Sequence, residues 1–237
     1  MSKKRRTVFL LDVDNTLLDN DQVEQDLKSY LDEAFGIECR NDYWRTFETL
    51  RTELGYADYL GALQRYRVEH PRNPQILEIS AFLINYRFTT RLYPGALESI
   101  RRLRKLGRTV ILSDGDAVFQ PRKIERSGIW KAVRGHVLIY IHKEQMLEDV
   151  EQKYPADHYV MADDKVRILA AMKKVWGERL TTIFVRQGHY ASDRTEVQKY
   201  PPADVEIERV AQLRDLNSEF ALNPAATAIP SEGQAGG

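Results

Sequence analysis

Residues 8–19 read V-F-L-L-D-V-D-N-T-L-L-D. The apolar run at 8–11 is rich in β-formers and has the composition and length of a buried strand. It then gives out two aspartates one residue apart, Asp12 and Asp14, followed by Asn15 and Thr16. An unpaired buried charge is very costly, so a buried parallel strand has no use for two carboxylates. Asp12 and Asp14 are therefore expected at the carboxyl end of the strand, where open α/β sheets form their ligand crevice. Residues two apart in an extended chain point the same way. Both carboxylates can then converge on one point, as a hard divalent cation requires. An acid-rich turn with Asn15 as the turn residue is the competing explanation; the pattern favours a functional site over it.

The chain of 237 residues, 43% of them hydrophobic, can bury one full core and a second small one. Lys+Arg and Asp+Glu both number 35, so the formal net charge is zero. That balance offers no general field for nucleic acid or for an acidic membrane surface, and neither is expected as a partner. The basic run at 3–6 is short and is assigned to a solvated tail. A single cysteine, Cys39, excludes an intramolecular disulfide framework and suits a reducing compartment. No apolar stretch approaches the ~20 residues that span a bilayer. Because the run at 8–11 leads straight into acid, it lacks the long apolar region of a signal peptide. A soluble cytoplasmic protein is expected.

Downstream of Asp19 the period changes from strand to helix. Helices are predicted over 22–35, 43–54, 59–70 and 74–86, with Gly36, Gly55 and Pro71 as stops. Four helices in a row without a strand signal read as a small helical bundle over 19–92. Strand–helix alternation follows. Helices are predicted over 94–106, 122–127, 144–152 and 166–176, with a less defined one over 207–220. Strands are predicted over 108–113, 137–141, 158–161, 181–185 and 204–207. This alternation predicts an α/β fold, a Rossmann-like parallel sheet with helices on both faces. Residues 1–18 and 93–220 form its core, the α-helical insertion occupies 19–92, and 221–237 reads as a disordered tail.

The residues that follow each predicted strand carry the chemistry. They are Asp12 and Asp14, then Ser113 with Asp114 and Gly115, then His142 and Lys143, then Asp163 and Asp164. In a parallel sheet these carboxyl ends share one edge. Three or four carboxylates, a small hydroxyl and an ammonium suit a Mg²⁺ ion beside a phosphate.

D-V-D-N-T-L-L-D resembles the first motif of the haloacid dehalogenase-like superfamily. Ser113 after T-V-I-L matches the second motif, Lys143 the third and the Asp163–Asp164 pair the fourth, all in order. The helical insertion matches the family's cap between motifs one and two. Y-P-G-A-L-E-S-I-R-R-L-R-K-L-G at 93–107 is similar to the phosphoglycolate phosphatase-like branch. The resemblance implies a Mg²⁺-dependent phosphatase acting on a small phosphorylated metabolite. Asp12 is then the nucleophile and Asp14 the proton donor and base. It further implies Ser113, Lys143 and Thr16 on the phosphate. The metal falls to Asp12, the Asp14 main-chain carbonyl and Asp163, with Asp164 second or acting through water. Members that break carbon–halogen bonds do not keep an aspartate at the position of Asp14, so its presence favours phosphate esters.

Two rival readings stay open: a phosphomutase of the same family, and a non-catalytic binding or scaffold protein on the same fold. No G-x-x-x-x-G-K-[ST] occurs, which disfavours a P-loop nucleotidase. Lys123 competes with Lys143 for the ammonium role but lies well past its strand in sequence. Asp114 is left as a turn cap, and Asn15, where many members carry Gly, is expected not to affect the chemistry. His142, His158 and His189 lack ligand spacing and are assigned to packing or surface. Arg45, Arg65 and Arg87 are assigned to solvated helix faces, with Arg186, Gln187 and Gly188 as secondary pocket candidates.

Overall fold

The computed structural model describes residues 6–217. The expected tail at 221–237, and the last residues of the expected core, lie outside them. In chain order the elements are β1 (Thr7–Leu11), α1 (Asn20–Phe35), α2 (Ile37–Leu54), α3 (Tyr59–Glu69), α4 (Ile76–Asn85), α5 (Ala96–Leu106) and β2 (Arg108–Asp114). Then come α6 (Phe119–Arg126), α7 (Ile129–Ala132), β3 (Val137–Tyr140), α8 (Leu147–Lys153), β4 (His158–Asp163) and α9 (Val166–Trp176). The chain continues with β5 (Leu180–Val185), α10 (Gly188–Ser192), α11 (Arg194–Val197) and β6 (Val205–Ile207).

The six strands form one sheet in the order β3-β2-β1-β4-β5-β6, and every pairing is parallel. This bears out the predicted α/β class. The order reverses beside β1, the switch point at which such sheets open a crevice. Side chains of a strand alternate between faces, and the core divides accordingly. Val8 and Leu10 of β1 pack with Val110, Leu112, Tyr159, Met161 and the buried side of α9. Phe9 and Leu11 pack with Ile111, Val160, Ile183 and α5 on the other face.

Four helices, α1–α4, lie between β1 and α5 in the chain. Asp19 caps α1 by accepting from the Gln22 amide at 3.0 Å, and α2 ends at Gly55 in the left-handed region. Their apolar faces merge with the second core through an aromatic seam. Phe47 stacks on Tyr59 at 4.7 Å, Tyr59 meets Phe119 of α6 at 5.1 Å, and Phe88 meets Phe119 at 5.6 Å. Among the described residues no helix is long and apolar enough to cross a membrane.

α2 starts at Ile37, six residues before the predicted 43; three other departures from the predicted elements have local reasons. α6 starts three residues before the predicted 122, because the Asp116 carboxylate accepts from the Val118 and Phe119 amides at 2.8 and 2.6 Å. The predicted helix over 144–152 splits into a 3₁₀ turn, Lys143–Gln145, and α8, since the Lys143 amide is held by the Asp114 carboxylate at 2.7 Å. Of the helix predicted over 207–220, residues 218–220 lie outside the described ones, and the described part holds a 3₁₀ segment, Val210–Asp215. Val210, Leu213 and Leu216 are all buried, and a spacing of three fits three residues per turn.

Phe119 joins the inserted helices to the sheet core and is buried. Phe119→Ala should lower the unfolding free energy by about 3–5 kcal/mol, read as a drop in urea midpoint. A loss under about 1 kcal/mol would mean that the seam does not join the two parts.

Candidate active site

The β1 ladder runs one residue beyond the strand, with the Asp12 amide donating to Ala162 O of β4 at 3.0 Å. A tight loop follows. The Leu17 and Leu18 amides both return to Val13 O at 2.9 Å, and Asn15 adopts the left-handed conformation at φ 59°. Asn15 is more than a tolerated variant. Its Oδ1 accepts from the Asn20 and Asp21 amides at 3.0 and 3.2 Å, and its Nδ2 donates to Asp21 Oδ1 at 2.9 Å. His189 completes the strap, its amide donating to Asp21 Oδ2 at 2.8 Å and its Nδ1 lying 2.6 Å from Oδ1. Gly188 backs this loop at φ 73°, and a Cβ there would stand 2.5 Å from Asn15 Cβ. Only glycine fits that approach.

At the same edge the buried Lys143 ammonium donates to Asp12 Oδ1 at 2.5 Å and to Leu112 O at 3.3 Å. It lies 2.7 Å from Asp163 Oδ2, at an angle that makes this an ion pair without a hydrogen bond. Burial works against the charge of Lys143. Asp12, then Asp163 and Asp114, outweigh it and hold the ammonium's pKa above that of an ordinary lysine.

Asp163 and Asp164 are fully buried, and burial pushes both carboxyls up, Asp164 the further. Asp163 Oδ1 accepts from the Lys165 amide at 2.8 Å, whereas neither Asp164 oxygen has a hydrogen-bond partner. One oxygen each from Asp12, Asp163 and Asp164 lie within 4.8 Å of one another. Two ammonium groups, those of Lys143 and Lys165, act on these three buried carboxylates and leave negative charge over, and orphaned hard oxygens are the donor set of a divalent cation. The residues present fit a Mg²⁺ ion.

The Asp14 carboxylate is not in that trio. Its Oδ1 accepts from Lys123 Nζ at 2.7 Å and its Oδ2 from Gln120 Nε2 at 3.3 Å. Gln120 Nε2 also donates to Ser113 Oγ at 3.0 Å, and Lys123 to Asn20 Oδ1 of α1 at 2.8 Å. The early start of α6 is what brings Gln120 and Lys123 here. The two lysines are therefore partners rather than competitors: Lys143 serves Asp12 and Lys123 serves Asp14. Thr16 is fully buried and its hydroxyl has no partner.

A cavity of about 90 Å³ opens at Asp14, Gln120 and Lys123, closed from the inserted helices by Glu24, Arg51 and Tyr59. Arg51 also donates to Tyr190 OH and pairs with Glu48 at 3.6 Å. Its sequence carries no signal that separates it from other helical arginines. Arg45 and Arg65 instead face solvent and pair with Asp42 and Glu53. Lys165, directly after the two aspartates, lines the cavity too, and the run D-D-K was its one sequence cue. Of the secondary candidates, Arg186 pairs with Glu206, and Gln187 accepts from the Val210 amide.

A family model of haloacid dehalogenase-like hydrolases matches residues 7–175. A search of curated proteins gave no match. Among solved structures, a protein of Burkholderia xenovorans LB400, provisionally described as a haloacid dehalogenase-like hydrolase, is 62% identical. The alignment covers 90% of this chain and 99% of that one, with a TM-score of 0.86. YfnB of Bacillus subtilis, provisionally described as a HAD-hydrolase and bound to magnesium, is 17% identical over 90% and 98% of the two chains, with a TM-score of 0.60. The L-2-haloacid dehalogenase of Xanthobacter autotrophicus, with chloropropionic acid covalently bound, is 15% identical over 89% and 97%, with a TM-score of 0.59. At those identities the last two share the fold alone. With the family model spanning well over half of its length, this chain belongs to the haloacid dehalogenase-like hydrolases.

Proposed function

We propose that this hydrolase is a Mg²⁺-dependent phosphatase that cleaves a small phosphate monoester through an aspartyl-phosphate on Asp12. The observation that carries the reading is Asp14, two residues past Asp12, with its own buried ammonium partner, Lys123, at 2.7 Å. Displacement at a carbon–halogen bond releases a halide that needs no proton. An ester oxygen leaving phosphorus does need one, and a second acid beside the nucleophile can give it.

Charge supports the same reaction. A carboxylate ~4 Å from a single negative charge is opposed by ~4 kcal/mol at an effective dielectric of ~20. A phosphate monoester carries nearly two such charges, so the nucleophile needs cations around it. Lys143, buried against Asp12, is one. Asp12, Asp163 and Asp164, with the Asp14 main-chain carbonyl, would hold a Mg²⁺ ion, which would add positive charge beside the phosphoryl oxygens.

In the first half-reaction an Asp12 oxygen attacks phosphorus as the bond to the ester oxygen breaks. Asp14 gives its proton to that oxygen, which leaves as an alcohol. In the second half-reaction Asp14, now a carboxylate, takes a proton from water while the water oxygen attacks phosphorus. The bond to Asp12 breaks and inorganic phosphate departs. Ser113 and the unpartnered Thr16 hydroxyl are donors for the phosphoryl oxygens. Arg51, Glu24 and Tyr59 close the cavity from the inserted helices, which act as a cap that keeps bulk water from the reacting groups.

Hydrolysis of para-nitrophenyl phosphate should require Mg²⁺, stop in excess EDTA, and fall by about a thousandfold or more in Asp12→Asn. Free phosphate should be the product, without isomerisation of a sugar phosphate, and 2-chloropropionate should release no chloride. Turnover in Asp12→Asn near the wild-type rate would remove the nucleophile. Asp14→Asn should lose about 10²–10⁴-fold with a poor leaving group and distinctly less with para-nitrophenolate. Equal losses with both would contradict a proton donor at that position.

A further inference from the structure

A second cavity lies away from the catalytic one. A groove of about 720 Å³ lies at the opposite, amino-terminal edge of the sheet, around the starts of β1 and β2. Its walls carry Arg6, Arg104, Arg108, Arg134 and His136, and no acidic side chain is among the described residues that line it. The zero net charge of the chain conceals this concentration of cations.

Some of these groups have structural duties. Arg104 donates to Ala132 O at the end of α7 at 2.9 Å, and Arg6 lies 3.9 Å from Asp157. The side chains of Arg108 and Arg134 have none: among the described residues neither guanidinium makes a hydrogen bond or ion pair, and both residues are exposed. Solvated surface arginines would leave it there, but two further observations argue against that account. Thr109, which lines the same groove, is buried, and its hydroxyl has no partner. The imidazole of His136 is held below its ordinary pKa by burial and then by Arg108, Arg104 and Arg134, so positive potential there is uncompensated.

We infer that this groove binds a chain of phosphates, carried by a nucleotide or by inorganic polyphosphate, at a site separate from the catalytic edge. Guanidinium forks match phosphate oxygens in geometry and are weakly hydrated, which makes two unpaired ones a suitable grip. A buried hydroxyl and a neutral imidazole add directional donors beside them. The volume lies within the range of small-molecule sites and exceeds what a single phosphate needs. The inference does not depend on the phosphatase reading, because none of these residues belongs to the catalytic edge.

Isothermal titration of the full chain with sodium tripolyphosphate, and separately with ATP, tests it, with EDTA present to suppress turnover. The comparison is Arg108→Thr/Arg134→Asn, in which threonine suits a strand start and asparagine tolerates the φ of 57° at residue 134. Saturable binding that weakens by about a hundredfold in the double variant, with an unchanged melting curve, supports the site. Tighter binding of ATP identifies a nucleotide as the source, and tighter binding of tripolyphosphate identifies inorganic polyphosphate. Absence of saturable binding for both, or equal affinity in wild type and double variant, overturns the inference.

Discussion

The Lys143 ammonium lies 2.5 Å from Asp12 and 2.7 Å from Asp163, with Asp164 buried alongside. Charges in this state are stable only in one another's company, since removing one partner of a buried ion pair destabilises by about 3–5 kcal/mol. The rest of the site follows from that constraint. The ammonium groups of Lys143 and Lys165 do not balance three carboxylates, so the edge has capacity for a further cation, and both Asp164 oxygens lack a hydrogen-bond partner. A cation held there would also offset the charge of a phosphoryl group entering beside Asp12. Structural need and chemical use coincide there.

The sheet supplies the convergence. β1 lies between β2 and β4, and all three are parallel, so Asp12, Ser113 and Asp163 leave the sheet at one edge without special loops. Lys143 arrives from the end of β3 and is oriented by the hydrogen bond that its main-chain amide donates to the Asp114 carboxylate. The Asp114 side chain, left as a turn cap in the sequence reading, thus aligns the lysine. The inserted helices add the remaining wall. Asn20 at the start of α1 bonds Lys123 and lies 3.4 Å from Tyr59 OH. Any displacement of α1 is therefore felt at the partner of Asp14.

Much of this was readable from residue order. Strands of continuous apolar residues ending in acid or hydroxyl fix both the fold class and the shared edge. The alternation of Phe9 and Leu11 against Val8 and Leu10 explains why one strand serves two cores. The unreadable parts depend on distance through space rather than along the chain. Lys123 looked too far from its strand, because the Asp116 cap that starts α6 early is a side-chain contact and leaves no periodic trace. Arg51 has the spacing of any helical arginine and gains its role only from where α2 packs. The Asn15–Asp21–His189 strap joins residues 168 apart in sequence at its longest span. The 3₁₀ segment at Val210–Asp215 was legible in principle from its period of three, which a helix of 3.6 residues per turn does not match.

In the proposed reaction the phosphoryl group passes through Asp12. Acid quenching of the protein during steady turnover of a phosphate ester, followed by mass mapping of its peptides, tests this most directly. The account predicts a phosphoryl group on the peptide containing Asp12, at that side chain, which disappears once substrate is exhausted. Sustained turnover with no phosphorylated peptide, or with the group on another residue, would contradict it.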